Sequence, residues 1–397
     1  MNNPDRLACF CQLADLGADT GFLTRTRRHL HQHPELSFQE ADTADFVARH
    51  LTDWGWDVTR GVGGHGVVAS LRQGSGTRSV AVRADMDALP IAEASGREWS
   101  SSRAGVMHAC GHDGHTAMLL GAAQQLARTR NFSGTVHLVF QPAEEAGAHS
   151  GAQRMIEDGL FERFPCDAIF GLHNTPGLPA GHFGFGSGAF MAASDTVHIT
   201  IHGRGGHAAR PHQTVDPILI AGSLVVALQS IVARNIEPRH TAIVTVGALH
   251  AGSVANVIPD SATMALSVRS FDAGVRDQLE QRIRALVSAH VQGYGGEATI
   301  DYQRGYPVVV NSDAETAFAR EVAAELVGDQ AIVAPYPPLA GSEDFAYYLQ
   351  RKPGCFLRLG NGEGGASLHN PRYDFNDEIL TTGAAYWTRL VERYLAG

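Results

Sequence analysis

Short apolar runs of strand length alternate with helical stretches along most of this chain, and that alternation is interrupted once. Residues 5–33 and 39–53 read as helices, with Pro34 breaking the pattern between them. Strands are predicted over 80–83, 134–140 and 168–172, with helices over 114–128 and 151–158. Strands alternating with helices imply an α/β sheet covered on both faces. From about residue 195 the rhythm changes: a strand over 196–202, a long apolar helix over 215–233, strands over 241–249 and 262–270, a helix over 273–291 and a strand over 298–302. That order is β-α-β-β-α-β, the ferredoxin-like signature. The α/β pattern then resumes, with helices over 314–326 and 342–349 and a strand over 355–359. The expected fold is therefore α/β with a discontinuous catalytic domain, residues 1–194 and 307–397, and an inserted domain over 195–306.

A length of 397 residues fits two domains, and 44% hydrophobic with 18% charged residues is ordinary for a globular protein with a large core. The formal net charge of -10 argues against nucleic acid or an anionic membrane surface as partner. No apolar run reaches the length of a membrane span, and the first six residues do not resemble a secretory leader. The five cysteines, at 9, 11, 110, 166 and 355, are odd in number and lack framework spacing, which predicts reduced thiols and a cytoplasmic location.

The 20 histidines matter through where they cluster. In His108-Ala-Cys-Gly-His-Asp-Gly-His115, Cys110 and His112 are one residue apart. In extended backbone such side chains point the same way, so both can reach one ion. Glu144 and Glu145 follow strand 134–140, His173 follows strand 168–172, His369 lies after strand 355–359, and Asp85 and Asp87 follow strand 80–83. Ligand sites in open α/β sheets form at the carboxyl ends of strands, so these separate stretches are expected to converge. Each has an ordinary alternative taken alone: a buried thiol, a loop histidine, a solvated pair of glutamates, a capping aspartate. Their joint position at one sheet edge makes a metal cluster the better reading.

With these residues in place, the chain resembles the M20 metallopeptidase superfamily, in its amidohydrolase branch of hippurate hydrolases, bacterial N-acyl-amino-acid deacylases and plant auxin-conjugate hydrolases. The matching segments are Arg27-Arg-His-Leu-His-Gln-His-Pro-Glu35, Arg83-Ala-Asp-Met-Asp-Ala-Leu-Pro90, the 108–115 stretch and Gln141-Pro-Ala-Glu-Glu145. Gly171-Leu-His173, Gly203-Arg-Gly-Gly-His207, Asn256-Val-Ile-Pro259, Gly341-Ser-Glu-Asp-Phe345 and Leu368-His-Asn-Pro371 follow in order along nearly the whole chain. The resemblance implies a zinc-peptidase-like catalytic domain with a central mixed sheet and a ferredoxin-like lid that mediates dimerisation, giving a homodimer or homotetramer. It implies two divalent ions, zinc, manganese, cobalt or nickel, held by Cys110, His112, Glu145, His173 and His369, with Cys110 bridging. Glu144 would be the general base for a metal-activated water. His207 of the lid would help bind the oxyanion, in its own subunit or in a second copy. Asn256 and Arg269 would hold the substrate carboxylate. Asp87 would orient a ligand, and Asp85 would share that role or cap its loop.

The expected activity is hydrolysis of the amide bond of small N-acyl amino acids. A dipeptidase or carboxypeptidase on the same scaffold is the first rival, distinguished by a pocket for a free terminal amine. A non-catalytic binder of amino-acid conjugates is the second, but it would be expected to lack the base or a ligand, and all of them are present.

Overall fold

The structure, a computed structural model, describes residues 10–396. Cys9 and the start of the helix expected from residue 5 lie outside the described residues. The rest of that expected helix is a 3-10 turn, Leu13–Asp19, running into α1, Thr20–Gln32. Then come α2 (Ala41–Asp53), β1 (Asp57–Val62), β2 (Gly66–Gln73), β3 (Ser79–Asp85), α3 (His112–Thr129), β4 (Gly134–Gln141), α4 (Gly151–Glu157), β5 (Ala168–Pro176) and β6 (Phe183–Gly184). The middle of the chain gives β7 (Ala193–His202), α5 (Pro217–Asn235), β8 (Ala242–Ala251), β9 (Ser261–Ser270), α6 (Ala273–Gly293) and β10 (Glu297–Arg304). The last part gives α7 (Asp313–Val327), β11 (Ile332–Val333), β12 (Gly354–Gly362) and α8 (Leu380–Tyr394).

Two compact units result. The larger comprises the chain up to Gly188 with Val310–Pro337 and Asp344–Gly397, and the smaller comprises Ala189–Val309 with Pro338–Glu343. The larger unit is built on a mixed eight-stranded sheet in the order β1-β2-β4-β3-β5-β12-β6-β11. Within it β4, β3, β5 and β12 are neighbours and all parallel, so their carboxyl ends share one edge. Successive residues of β3 and of β12 are buried, which requires cover on both faces of the sheet and explains their unbroken apolar runs. The cover includes α3, whose residues are almost all buried, and α8, with Tyr386, Trp387, Leu390 and Val391 in the same core.

The smaller unit holds a four-stranded antiparallel sheet in the order β8-β9-β7-β10. Its strands alternate: Val197, Ile199 and Ile201 of β7 are buried, whereas Thr196, His198 and His202 are exposed. The buried face packs on α5 and α6 through Ile220, Leu224, Leu228, Leu279, Ile283 and Val287. Helix α5 is long and apolar enough by composition to cross a membrane, yet Ile220, Ala221, Leu224, Leu228 and Ile231 line this core. Asp195 ties the layers together, accepting from Arg276 Nε of α6 at 3.0 Å, Tyr302 Oη of β10 at 2.9 Å and the Gly305 amide at 3.2 Å.

Leu138, at the centre of β4 and fully buried, tests the larger core. Leu138→Ala is expected to cost about 2–5 kcal/mol, read as a lower midpoint of chemical unfolding. Arg72→Ala on the exposed face of β2 should stay within about 0.5 kcal/mol of the parent.

Candidate metal centre

The segment after β3 and the one entering α3 bring the first groups together. The sequence reading placed Cys110 and His112 on extended backbone; instead Gly111 is left-handed (φ 90, ψ 17) and His112 is the first residue of α3. The sharp turn does what an extended pair would have done. A side chain at 111 is excluded twice over, by that φ and by Asn174 Nδ2, which would lie 2.1 Å from its Cβ. His173 also differs slightly from expectation, lying within β5 rather than after it, and Asp85 is the last residue of β3.

Three of the five donor groups among the described residues are made wholly of the expected ligands and base, each with its ligand atoms within 4.8 Å of one another: Cys110 with His112 and His173, Cys110 with Glu145 and His369, and His112 with Glu144 and Glu145. Cys110 belongs to the first two. Its Sγ lies 3.3 Å from His173 Nε2, and Glu145 Oε1 lies 3.1 Å from His369 Nε2. His369 is exposed and reaches the group from a left-handed residue (φ 62) whose amide donates to Ala109 O at 2.8 Å.

The hydrogen bonds fix which histidine nitrogens face inward. His112 Nδ1 donates to the Asp87 carbonyl at 2.8 Å with Asp87 Oδ1 at 3.3 Å, leaving Nε2 buried and without a hydrogen-bond partner. His173 Nδ1 donates to the Asn174 carbonyl at 2.6 Å, so its Nε2 presents a lone pair to Cys110. Fixing one ring nitrogen so that the other can ligate is the usual arrangement at metal sites. Burial, with His115 and Arg358 nearby, holds His173 well below its usual range and therefore neutral. Burial and then Glu145, Glu144 and Asp85 push the Cys110 thiol well above its usual range. For His112 burial works the other way, but Asp85 and then Asp87 outweigh it and hold the ring at about 10. Negative groups crowd buried sulfur and imidazole here, a balance that divalent cations would relieve. An orphaned inward nitrogen and a thiol, imidazole and carboxylate donor set fit zinc, manganese, cobalt or nickel.

Asp87 organises the turn that carries Glu144 and Glu145. Its Oδ1 accepts the Glu144 amide and its Oδ2 the Glu145 amide, both at 3.0 Å, and Ser37 Oγ donates to Oδ2 at 2.7 Å. Asp85 turns instead to His115 Nδ1 at 2.7 Å and Arg83 Nη1 at 2.6 Å. His115 Nε2 in turn accepts the Asn174 amide at 3.0 Å, while Asn174 Nδ2 donates to the Cys110 carbonyl at 2.7 Å and Tyr373 Oη to Asn174 Oδ1 at 2.8 Å. Two further polar residues of the 108–115 segment belong to none of the donor groups. Asp113 pairs with His31 at 2.8 Å, and His108 is buried with neither ring nitrogen hydrogen-bonded, held near 4 by burial.

The remaining expected site residues lie in the smaller unit. His207 and Asn256 come together: a short strand Gly206–His207 pairs with Val257–Ile258, and the Ala208 amide donates to Asn256 O at 3.1 Å. Both are exposed. Arg269 lies apart on β9, half-buried, with Nη1 donating to Ser342 Oγ at 3.0 Å. Sequence reasoning passed over Ser37, Arg83, His115, Asn174 and Tyr373. Of these His115 alone had a local signal, as the third histidine of its own segment.

The chain is similar to known proteins over most of its length. The model of peptidase family M20/M25/M40 matches residues 81–393. Hippurate hydrolase of Campylobacter jejuni is 43% identical over 375 residues, covering 94% of this chain and 97% of its own length. N-acetyl-L-cysteine deacetylase of Bacillus subtilis is 42% identical over 362 residues, covering 91% of this chain and 85% of its own. A solved Bacillus subtilis structure, described as a dinuclear metal-binding peptidase of the M20 family, superimposes with a TM-score of 0.83 at 35% identity, covering 95% of this chain and 98% of that one. The chain belongs to peptidase family M20/M25/M40, on its amidohydrolase branch.

Proposed function

We propose that this enzyme hydrolyses the amide bond of N-acyl amino acids, with hippurate and N-acetyl amino acids as the first substrates to try. The observation that carries the reading is the convergence of Cys110, His112, Glu145, His173 and Glu144 at the carboxyl ends of four parallel strands, with His369 reaching in from the loop after β12. Cys110, His112, Glu145, His173 and His369 would hold two divalent ions, Cys110 being common to both ligand groups. When bound, the ions supply a nucleophile at neutral pH and polarise the substrate carbonyl.

The chain's own groups do the rest. The Glu144 carboxylate is buried, on a turn fixed by Asp87, and takes the proton from the attacking water before passing it to the departing amine nitrogen. Asp87 holds His112 through Nδ1, and Asp85 holds the neighbouring His115. His207 Nδ1 accepts the Ala209 amide at 3.1 Å, so the neutral ring carries its hydrogen on Nε2, the atom that would donate to the oxyanion. Asn256 and Arg269 would hold the substrate carboxylate. The β-α-β-β-α-β unit is read as a ferredoxin-like lid. It would join copies into a homodimer or homotetramer, a reading supported by the exposed Ile218, Leu219 and Val226 on α5 and Leu249, Val254 and Val257 beside it. The buried free thiols Cys11, Cys110, Cys166 and Cys355 suit a reducing cytoplasmic compartment.

Glu144→Gln should lower turnover about 10²–10⁴-fold with metal content unchanged; parent-like turnover by metal-replete protein would overturn the base assignment. Hippurate, N-acetyl amino acids and simple dipeptides assayed together decide the substrate class, since cleavage of dipeptides alone points to a dipeptidase. Chelation should abolish activity and a divalent salt restore it. Because the metal-free Cys110 thiol and His112 ring both keep protons through neutral pH, metal binding should release protons and tighten as pH rises. Calorimetry in buffers of different ionisation enthalpy would count them, and Cys110→Ser should lower the count along with the affinity.

A further inference from the structure

Glu40 is wholly buried, yet it lies in none of the donor groups described above. It stands at the N-cap of α2, where a carboxylate ordinarily accepts the first amides of its own helix. Glu35 has taken that work: its Oε1 accepts the Asp42 amide at 3.3 Å and its Oε2 the Thr43 amide at 2.8 Å. The Glu40 side chain turns elsewhere, and a single atom, Oε1, accepts the Phe38 amide at 2.9 Å and the Ala143 amide at 2.8 Å.

Those two acceptances are not ordinary loop contacts. Among the described residues five non-glycine residues have left-handed φ: Phe38, Arg130, Ala143, His149 and His369. Glu40 thus holds two of the five. Left-handed backbone costs an L-residue about 1–2 kcal/mol, and it persists where surroundings enforce it. Ala143 (φ 53, ψ 47) immediately precedes Glu144. Phe38 (φ 63) immediately follows Ser37, which donates to Asp87. Three consecutive amides, of Ala143, Glu144 and Glu145, therefore end on two buried carboxylates, Glu40 Oε1, Asp87 Oδ1 and Asp87 Oδ2 in turn. Glu40 Oε2 makes no hydrogen bond. The residue's polar contacts are all with the backbone of the two turns, not with the ligands.

We infer that Glu40 is a positioning residue for the reaction, holding the strained Ala143 turn so that the Glu144 carboxylate stands where the attacking water must be deprotonated. This rests on the reading of Glu144 as base. The two amide hydrogen bonds to Oε1 hold the turn in either protonation state of Glu40, whose pKa burial and the nearby Asp87 raise to about 7. Misplacing a catalytic group by about 1 Å can cost about 100-fold.

The test uses full-length metal-replete protein and whichever N-acyl amino acid the parent turns over fastest. Glu40→Ala should lower kcat about 10–100-fold while KM stays within about 2-fold and metal content per chain matches the parent. Glu40→Gln keeps an oxygen for both amides, so it should recover kcat to within about 3-fold. Parent-like kcat in Glu40→Ala would overturn the inference. So would a loss that merely tracks lost metal or lost folded protein, or a Glu40→Gln variant as impaired as Glu40→Ala. Glu144→Gln in the same assay separates the two levels: if it turns over like the parent, the base reading itself fails. If it is inactive while Glu40→Ala is unimpaired, only the role of Glu40 fails.

Discussion

Asp87 is wholly buried, and its charge is tolerated because groups from three parts of the chain converge on it. Ser37 Oγ, the amides of Glu144 and Glu145, and His112 Nδ1 all donate to this one residue. These bonds hold its carboxyl below the usual range despite the burial. An unpaired buried carboxylate would cost several kcal/mol, so the loops that satisfy Asp87 are locked relative to one another. Because those loops carry His112, Glu145 and Glu144, the spacing of these groups is inherited from the solvation of a single side chain.

Asp85, two residues earlier, performs the corresponding task on the other side. Arg83, Asp85, His115, Asn174 and Tyr373 form a continuous buried chain of donors and acceptors from β3 through α3 and β5 to the segment before α8. Arg83 also reaches Gln141 at 2.8 Å and Asp344 at 2.9 Å, tying in the end of β4. Asn174 completes the chain at Cys110 through the carbonyl of that residue. Such networks are rigid when every member is satisfied and fragile when one is lost. The sulfur that belongs to two ligand groups is thus set by polar contacts none of which involves the sulfur.

Much of this was legible from the residues alone, and what was missed has a physical pattern. The ends of apolar strands predicted where Asp85, Asp87, Glu144, Glu145 and His369 gather, because parallel strands place their carboxyl ends on one edge. Strand and helix bounds in 195–306 were read to within a few residues, because a half-buried antiparallel sheet alternates visibly. The hairpin of β1 and β2 and the amphipathic α8 were passed over in the reading, though each carries local patterning. Ser37, Glu40, Arg83, Asn174 and Tyr373 had no local signal at all. Their partners are remote in sequence, as with Tyr373 and Asn174 or Arg83 and Asp344, and no spacing rule links such pairs. The geometry at 110–112 differs from the expectation because a glycine permits both an extended and a left-handed path, and no local pattern distinguishes them.

The strand order has a bearing on how the protein is made. β12 lies between β5 and β6, so the sheet cannot close around β5 until residues 354–362 have been synthesised, and His369 follows later still. At about 5–20 residues per second, the earlier donor residues wait many seconds before the last strand arrives. Cys110, His112, Glu145 and His173 emerge on a half-built sheet with its β5 edge bare. A growing chain therefore cannot assemble the full centre, and its exposed edge is what chaperones would have to shield during that interval.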